Sequence, residues 1–170
     1  MINFLYFLFF SFLAVIGQLT LVGYFDQKNI FLDFPLVLVL AAALTWRQVK
    51  ISWLALLPVF LFDLLISRVF GIITLSAWFS FWFIRWLAHF LFKKNEFLSL
   101  VTLGSLGFIF FNGLNFLLEK LVSFFWQSII FQKNIWLFRP LEFLLALVLN
   151  SFLFFILVKI WEGLKIFKKE

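Results

Sequence analysis

The chain has 170 residues, of which 65% are hydrophobic and 13% charged, and 30 of them are Phe. A soluble domain is nearer half apolar and a quarter charged, so this composition excludes an ordinary water-soluble fold and indicates that lipid solvates much of the surface. The formal net charge is +6, but no stretch is both basic and long enough for a groove or arm, which argues against a nucleic-acid partner. The absence of cysteine excludes disulfides, thiolate metal sites and cysteine nucleophiles.

Six apolar stretches predict an all-α, polytopic membrane protein with a single integral membrane domain over residues 1–170. About 20 helical residues at 1.5 Å each cover the roughly 30 Å hydrocarbon core of a bilayer. The second stretch is the shortest, and Asp33 and Pro35 give it a typical helix start. The predicted spans are about 3–25, 35–49, 53–70, 73–92, 97–118 and 140–161.

The third span carries a carboxylate, Asp63, within the apolar run from Trp53 to Phe70. A charge near the bilayer centre costs about 2.5–3.5 kcal/mol on insertion scales, so we expect Asp63 to face other helices rather than lipid. Two interpretations remain open: a hydrogen bond to a neighbouring hydroxyl or amide that holds the bundle together, or a direct role in transport or proton movement. Pro58 predicts a kink, and Gly71 permits the turn that follows.

The fourth span carries a stripe of Trp residues at 78, 82 and 86, together with Arg85 and His89 four residues apart. We expect Arg85 to extend its side chain towards the nearby interface. His89 has no second His to join it, so we interpret it as an interfacial hydrogen-bonding group rather than a metal ligand.

Polar residues recur on one face of the fifth span, and Asn150 lies near the middle of the sixth. Such a stripe in a membrane helix usually mediates contact between helices, and the alternative is a pocket for a polar ligand. The residues of the stripe are Ser105, Asn112, Asn115, Glu119 and Ser123.

The distribution of Lys and Arg predicts the orientation, because these residues gather on the cytoplasmic side of membrane proteins. With six spans, the side that holds both termini carries seven of them and the opposite side five. The seven are Arg47, Lys50, Lys93, Lys94, Lys165, Lys168 and Lys169, and the five are Lys28, Arg68, Lys120, Lys133 and Arg139. We therefore expect both termini in the cytoplasm.

Sequence motifs of the common enzyme classes are missing from the chain. There is no phosphate-binding GxxxxGK[ST] or GxGxxG, no HExxH and no GxSxG, and no pair of acidic residues stands at a catalytic spacing. The lone His offers no catalytic triad. We predict no enzymatic activity, and we expect no cofactor and no metal.

The order of these features resembles the MreD family, the bacterial rod-shape-determining integral membrane proteins. A Pro near the start of the second span, a basic turn after it, and an Asp-Leu-hydrophobic-Ser segment followed by Gly carry the resemblance. In this chain they are Pro35, the turn from Arg47 to Lys50, and the segment with Asp63, Ser67 and Gly71, while Gln18 and Asn150 also fit. The chain departs from the family at Pro58, Val59 and Phe60, where a Gly is usual, and at Arg68, where small residues are usual.

The resemblance implies a non-enzymatic membrane scaffold of the cell-elongation machinery, which helps maintain rod shape by organising peptidoglycan synthesis at the bacterial plasma (inner) membrane. It implies an MreC-like single-span partner and, beyond it, MreB, RodA and a transpeptidase of the elongation complex. It also implies a fold similar to the S components of energy-coupling-factor transporters, so the alternative function is that of a substrate-binding S component for a vitamin. Candidate structural or partner-contact residues are Asp63, Ser67, Gly71, Asn112, Asn115, Glu119 and Asn150.

Overall fold

The computed structural model describes residues 2–26, 32–45, 52–66, 69–90, 97–125 and 140–164, and the regular structure in these ranges is entirely helical. This confirms the prediction of an all-α fold. In chain order the helices are α1 (Ile2–Asp26), α2 (Phe34–Thr45), α3 (Ser52–Ala55), α4 (Leu57–Ile66), α5 (Ile72–Phe90), α6 (Phe97–Phe125) and α7 (Pro140–Leu164).

In the part of the chain that the structure describes with its side chains, two helices are long and apolar enough to cross a bilayer, judged by length and composition. They are Phe97–Phe125, with a mean hydropathy of 1.8, and Leu141–Gly163, with a mean hydropathy of 2.5. Shorter apolar helical segments are Tyr6–Thr20, which is the middle of α1, and the helices Phe34–Thr45 and Leu57–Ile66. The two long helices indicate a membrane protein.

α2 lies at the centre of the bundle, and every residue from Pro35 to Ala43 is buried. It packs against α1, α4, α5, α6 and α7. Its segment of Leu, Val and Ala is apolar on all sides, as expected for a helix that other helices surround completely. At 12 residues it is about 18 Å long, well short of α6.

The helices α1, α4, α5, α6 and α7 form a ring around α2 in which neighbours pack side by side. α1 packs on α4, α4 on α5, α5 on α6, and α6 on α7. Between α1 and α7 the ring is closed by an aromatic contact, in which Phe7 and Trp161 meet edge to face with ring centroids 6.1 Å apart.

Glycine allows α6 to approach its neighbours closely. A Cβ atom at Gly107 would lie 2.9 Å from Ile84 Cδ1 and 3.0 Å from Leu40 Cδ1, and one at Gly104 would lie 2.8 Å from Phe154 Cδ1. Small residues at such positions bring helices close enough for dense van der Waals contact, which is the main source of helix association where lipid, not water, is the solvent.

The predicted kink in the third span corresponds to an interruption of the helix at Leu56, between α3 and α4. Pro58 has no backbone N–H to donate to the carbonyl of Leu54, so the hydrogen-bond ladder is broken there. The helix resumes with the bond from Phe60 N to Leu56 O, at 2.8 Å.

Candidate functional site

Asp63 in α4 caps the start of α5. Its side chain is fully buried, and Oδ2 accepts hydrogen bonds from Gly71 N at 2.9 Å, Thr74 N at 3.0 Å and the Thr74 hydroxyl at 2.6 Å. The first N–H groups of a helix have no partner within the helix, and the helix dipole places positive charge there. The carboxylate therefore meets both hydrogen-bond donors and a favourable field.

A sharp corner after α4 brings these groups together. Gly71 has a φ of 103°, in the left-handed region that side chains with a Cβ disfavour, and α5 begins at the next residue. The corner folds Gly71 and Thr74 back onto Asp63, so the Asp and the Gly of the predicted segment are in direct contact. Ser67, the third predicted member of that segment, lies outside the described residues.

A second polar cluster closes the start of α2, and we call its side chains Gln18, Asp33 and Asn150 the α2 cap. Gln18 Oε1 in α1 accepts from Phe34 N at 3.0 Å, and Asn150 Oδ1 in α7 accepts from Asp33 N at 2.9 Å. Asp33 Oδ1 accepts from Leu36 N at 3.0 Å. The amide of Asn150 is in turn fixed by its own bond to Ala146 O at 2.9 Å.

The first backbone N–H groups of α2 have no partner within the helix, and the α2 cap supplies acceptors for them. Phe34 and Leu36 donate to side chains, Pro35 has no N–H, and Val37 N makes the first helical bond, to Asp33 O at 3.0 Å. An unpaired buried donor costs about 1–3 kcal/mol, so these bonds remove a substantial penalty. They also tie α1, α2 and α7 together at one point.

The carboxyl group of Asp33 is affected by this setting. Burial raises the pKa of Asp33 from 3.8 to about 6, and the hydrogen bond from Leu36 N opposes part of that rise. A carboxyl group with such a pKa changes its charge near pH 6, whereas an ordinary surface Asp is already ionised there.

The sequence identified Asp33, Gln18 and Asn150 separately, but it did not predict that they meet. Asn150 and Asp33 are 117 residues apart in the chain. The sequence carried one relevant signal, because Asp33 marks the start of a span that is shorter than the other spans, and a short buried helix needs acceptors for its first N–H groups.

The polar residues of the α6 stripe make two kinds of contact: hydrogen bonds to another helix and hydrogen bonds within α6. Ser105 forms a 2.8 Å hydrogen bond with Ser151 of α7, so this member joins two helices as predicted for the stripe. Asn112 donates to Phe108 O at 2.8 Å and Asn115 donates to Glu119 Oε1 at 3.1 Å, both within α6.

An apolar groove of about 200 Å³ opens between α1, α2 and α7. Its lining contributes no polar side chain, so it cannot orient a polar ligand by hydrogen bonds from side chains. The lining residues are Phe10, Leu13, Ala14, Gly17, Phe34, Leu38 and Leu157. Among the residues that the structure describes, no group of three His, Asp or Glu side chains could hold a metal ion.

Comparison of the chain with models of protein families, with curated proteins and with solved structures found no match.

Proposed function

We propose that the chain is a non-enzymatic, multi-pass scaffold of the bacterial plasma membrane, similar to MreD, that organises peptidoglycan synthesis and so helps maintain rod shape. The observation that supports this proposal is that buried polar side chains cap the starts of helices within the bundle. Asp63 caps α5, and Gln18 and Asn150 cap α2. These groups serve the bundle itself.

In a scaffold, the polar side chains that stabilise the bundle are separate from the surface that binds partners. In a bilayer, backbone N–H groups that lack a partner are costly, so polar side chains that close helix ends stabilise the fold directly. The outer surface of the bundle is then the part that is available for function. It presents large apolar side chains such as Phe9, Phe79, Leu121 and Phe152, which can pack against the helix of a partner.

The proposed arrangement has six spans: α1, α2, the interrupted helix α3–α4, α5, α6 and α7. α2 is too short to cross the hydrocarbon core alone, but protein rather than lipid surrounds it from Pro35 to Ala43. The Lys and Arg distribution favours an orientation with both termini in the cytoplasm. We further propose that this bundle is similar in fold to the S components of energy-coupling-factor transporters.

The proposed partner is a single-span protein of the MreC type, which would link the chain to MreB, RodA and a transpeptidase of the elongation complex. A single apolar helix fits such a docking role because its association in lipid depends on packing area and not on release of water.

Depletion of the chain from its native bacterium tests the proposal. We expect cells to lose rod shape as the chain is diluted out, and to regain it when the wild-type chain is supplied from a second copy. Uptake of small vitamins should be unchanged. Cells that stay rod-shaped while they lose saturable uptake of a vitamin would contradict the scaffold and favour the transporter S component.

A further inference from the structure

Asp63 and Asp33 both cap the start of a helix, but they meet different numbers of hydrogen-bond donors. Asp63 is fully buried, and its Oδ2 accepts three hydrogen bonds at the start of α5. Asp33 is partly buried, and its carboxyl group accepts one from the residues that the structure describes, from Leu36 N to Oδ1 at 3.0 Å. Because hydrogen bonds to the charged form keep a buried carboxyl group ionised, the charge of Asp33 is the less well stabilised of the two.

The other two members of the α2 cap carry no charge that would offset this shortage of donors. Gln18 and Asn150 are neutral amides whose oxygens accept from backbone N–H groups. Counted along the helices from these two residues, Tyr6 of α1 is about 18 Å away and Glu142 of α7 about 12 Å away. The remaining titratable side chains that the structure describes on helices packed against α2 are Lys159 and Glu162 of α7, Asp63 of α4, Arg85 and His89 of α5, and Glu119 and Lys120 of α6.

Asp33 also holds α2 in place through its backbone. Its N–H donates to Asn150 Oδ1 at 2.9 Å, and its carbonyl accepts the first helical bond, from Val37 N at 3.0 Å. One residue therefore joins α2 to α7 and starts the helix. A buried charge with few donors favours structures in which water reaches it, and such structures displace the same residue from Asn150 and Val37. A bound proton removes the charge, while the remaining carbonyl oxygen can still accept from Leu36 N.

We propose that Asp33 is a proton-binding site, and that its neutral form holds the start of α2 between α1 and α7 more firmly than its charged form. Burial raises the pKa of Asp33 from 3.8 to about 6, so the change of charge falls in the mildly acidic range. Because the value in the folded chain is the higher one, folding favours the neutral form. The stability that this group contributes is fully present below pH 3.8 and is lost as the pH rises to about 6. The proposal does not rest on the role in cell shape.

The test is equilibrium unfolding of the full chain and of Asp33→Asn in mixed detergent micelles, at about pH 7.5 and at about pH 4.5. Asn is a favoured cap residue, and its amide oxygen can still accept from Leu36 N without a charge. At the higher pH we expect the ratio of folded to unfolded protein to rise in the variant, by up to about a hundredfold for a pKa difference of roughly two. At the lower pH the wild type is itself neutral when folded, so the gain should fall below about tenfold.

Asp63→Asn is the matched control, because it makes the same change at a carboxylate that accepts three hydrogen bonds. We expect this variant to be less stable than the wild type at about pH 7.5, the opposite sign to Asp33→Asn. Asp33→Leu also removes the acceptor for Leu36 N, so it should be less stable at both pH values. An Asp33→Asn variant that is no more stable than the wild type at the higher pH, or that gains equally at both, would overturn the proposal.

Infrared spectroscopy measures the proton directly. The carboxylic acid C=O band that the wild type shows and Asp33→Asn lacks is followed as the pH is lowered, and its midpoint should be about 6. If Asp33→Asn does not fold, Asp33→Ser serves as the reference, because its hydroxyl oxygen also offers Leu36 N an acceptor. A midpoint near 3.8, the ordinary value for Asp, would contradict the site whatever the unfolding measurements show.

Discussion

Asp63 illustrates how a carboxylate is accommodated inside an apolar bundle. One of its oxygens accepts from two backbone N–H groups and one hydroxyl at the start of α5. Hydrogen bonds to a charged acceptor are stronger than neutral ones, and the positive end of the helix adds to them. The side chain thus replaces the water that would otherwise solvate both the carboxylate and the helix end.

Substitution of Asp63 should separate hydrogen bonding from charge. In Asp63→Asn the amide oxygen still accepts from Gly71 N or Thr74 N, so we expect a loss of about 1 kcal/mol in stability and retention of most function. Asp63→Leu leaves those donors buried and unpaired, at about 1–3 kcal/mol each. Thermal unfolding in detergent and an assay of complex assembly should therefore rank wild type above Asn, and Asn well above Leu.

The control for this series is Glu162→Gln. Glu162 pairs with Lys159 at 3.1 Å, but both side chains are well exposed, so removal of this charge should change stability by less than about 1 kcal/mol. Membrane insertion of Asp63→Leu should not fall, because its span becomes more apolar. Identical unfolding and assembly for the wild type and both Asp63 variants would show that the cap is incidental.

The sequence predicted that Asp63 faces other helices, and a neighbouring hydroxyl or amide was one of the two interpretations it left open. The partners themselves depend on the corner at Gly71, which directs the chain back over α4 and is not encoded by the apolar run around Asp63. Thr74 carried no signal of its own, since Thr is common in membrane helices and a single hydroxyl has many possible partners.

At the scale of elements, α2 has the most constrained position. Its start is held from two sides, by Gln18 of α1 and by Asn150 of α7. Because both contacts act on adjacent backbone N–H groups, they fix how far α2 extends between its longer neighbours.

Removal of Gln18 or Asn150 from the α2 cap should loosen this helix. We expect Gln18→Leu and Asn150→Leu each to lower stability by about 1–3 kcal/mol, since each leaves one buried N–H without an acceptor. Hydrogen exchange should rise first in α2. Thr20→Val is the matched control in α1, because its exposed hydroxyl bonds only carbonyls of its own helix, Ile16 O and Gly17 O. Loss of protection in the control but not in the two cap variants would contradict the account.

The end of α6 shows that the pattern of apolar and charged residues does not by itself predict where a helix ends. The fifth span was predicted over about 97–118, with a continuation to Trp126 left open, and α6 extends to Phe125. Glu119 and Lys120 lie within α6, because helical hydrogen bonding does not stop at the membrane interface. At 29 residues, α6 is about 43 Å long, which exceeds the roughly 30 Å core.

For the whole molecule, composition predicted the class of fold but not the arrangement of the helices. In a soluble protein, polar residues mark the faces that meet water, and the remaining faces form the core. Here lipid and core are both apolar, so α2, which is buried on all sides, and α7, with Leu144, Val148 and Phe152 exposed, have similar sequences. Small residues such as Gly107 and the paired polar groups determine which surfaces meet.

The proposed scaffold depends on the chain crossing the membrane six times with both termini in the cytoplasm. The absence of cysteine permits a direct measurement. Single substitutions Asn29→Cys, Asn95→Cys and Asn134→Cys are each treated with a membrane-impermeant maleimide on intact cells, and again after permeabilisation to show that each thiol can react. We predict labelling of positions 29 and 134 in intact cells, and of position 95 only after permeabilisation. Labelling of position 95 in intact cells, with 29 and 134 protected, would contradict this topology.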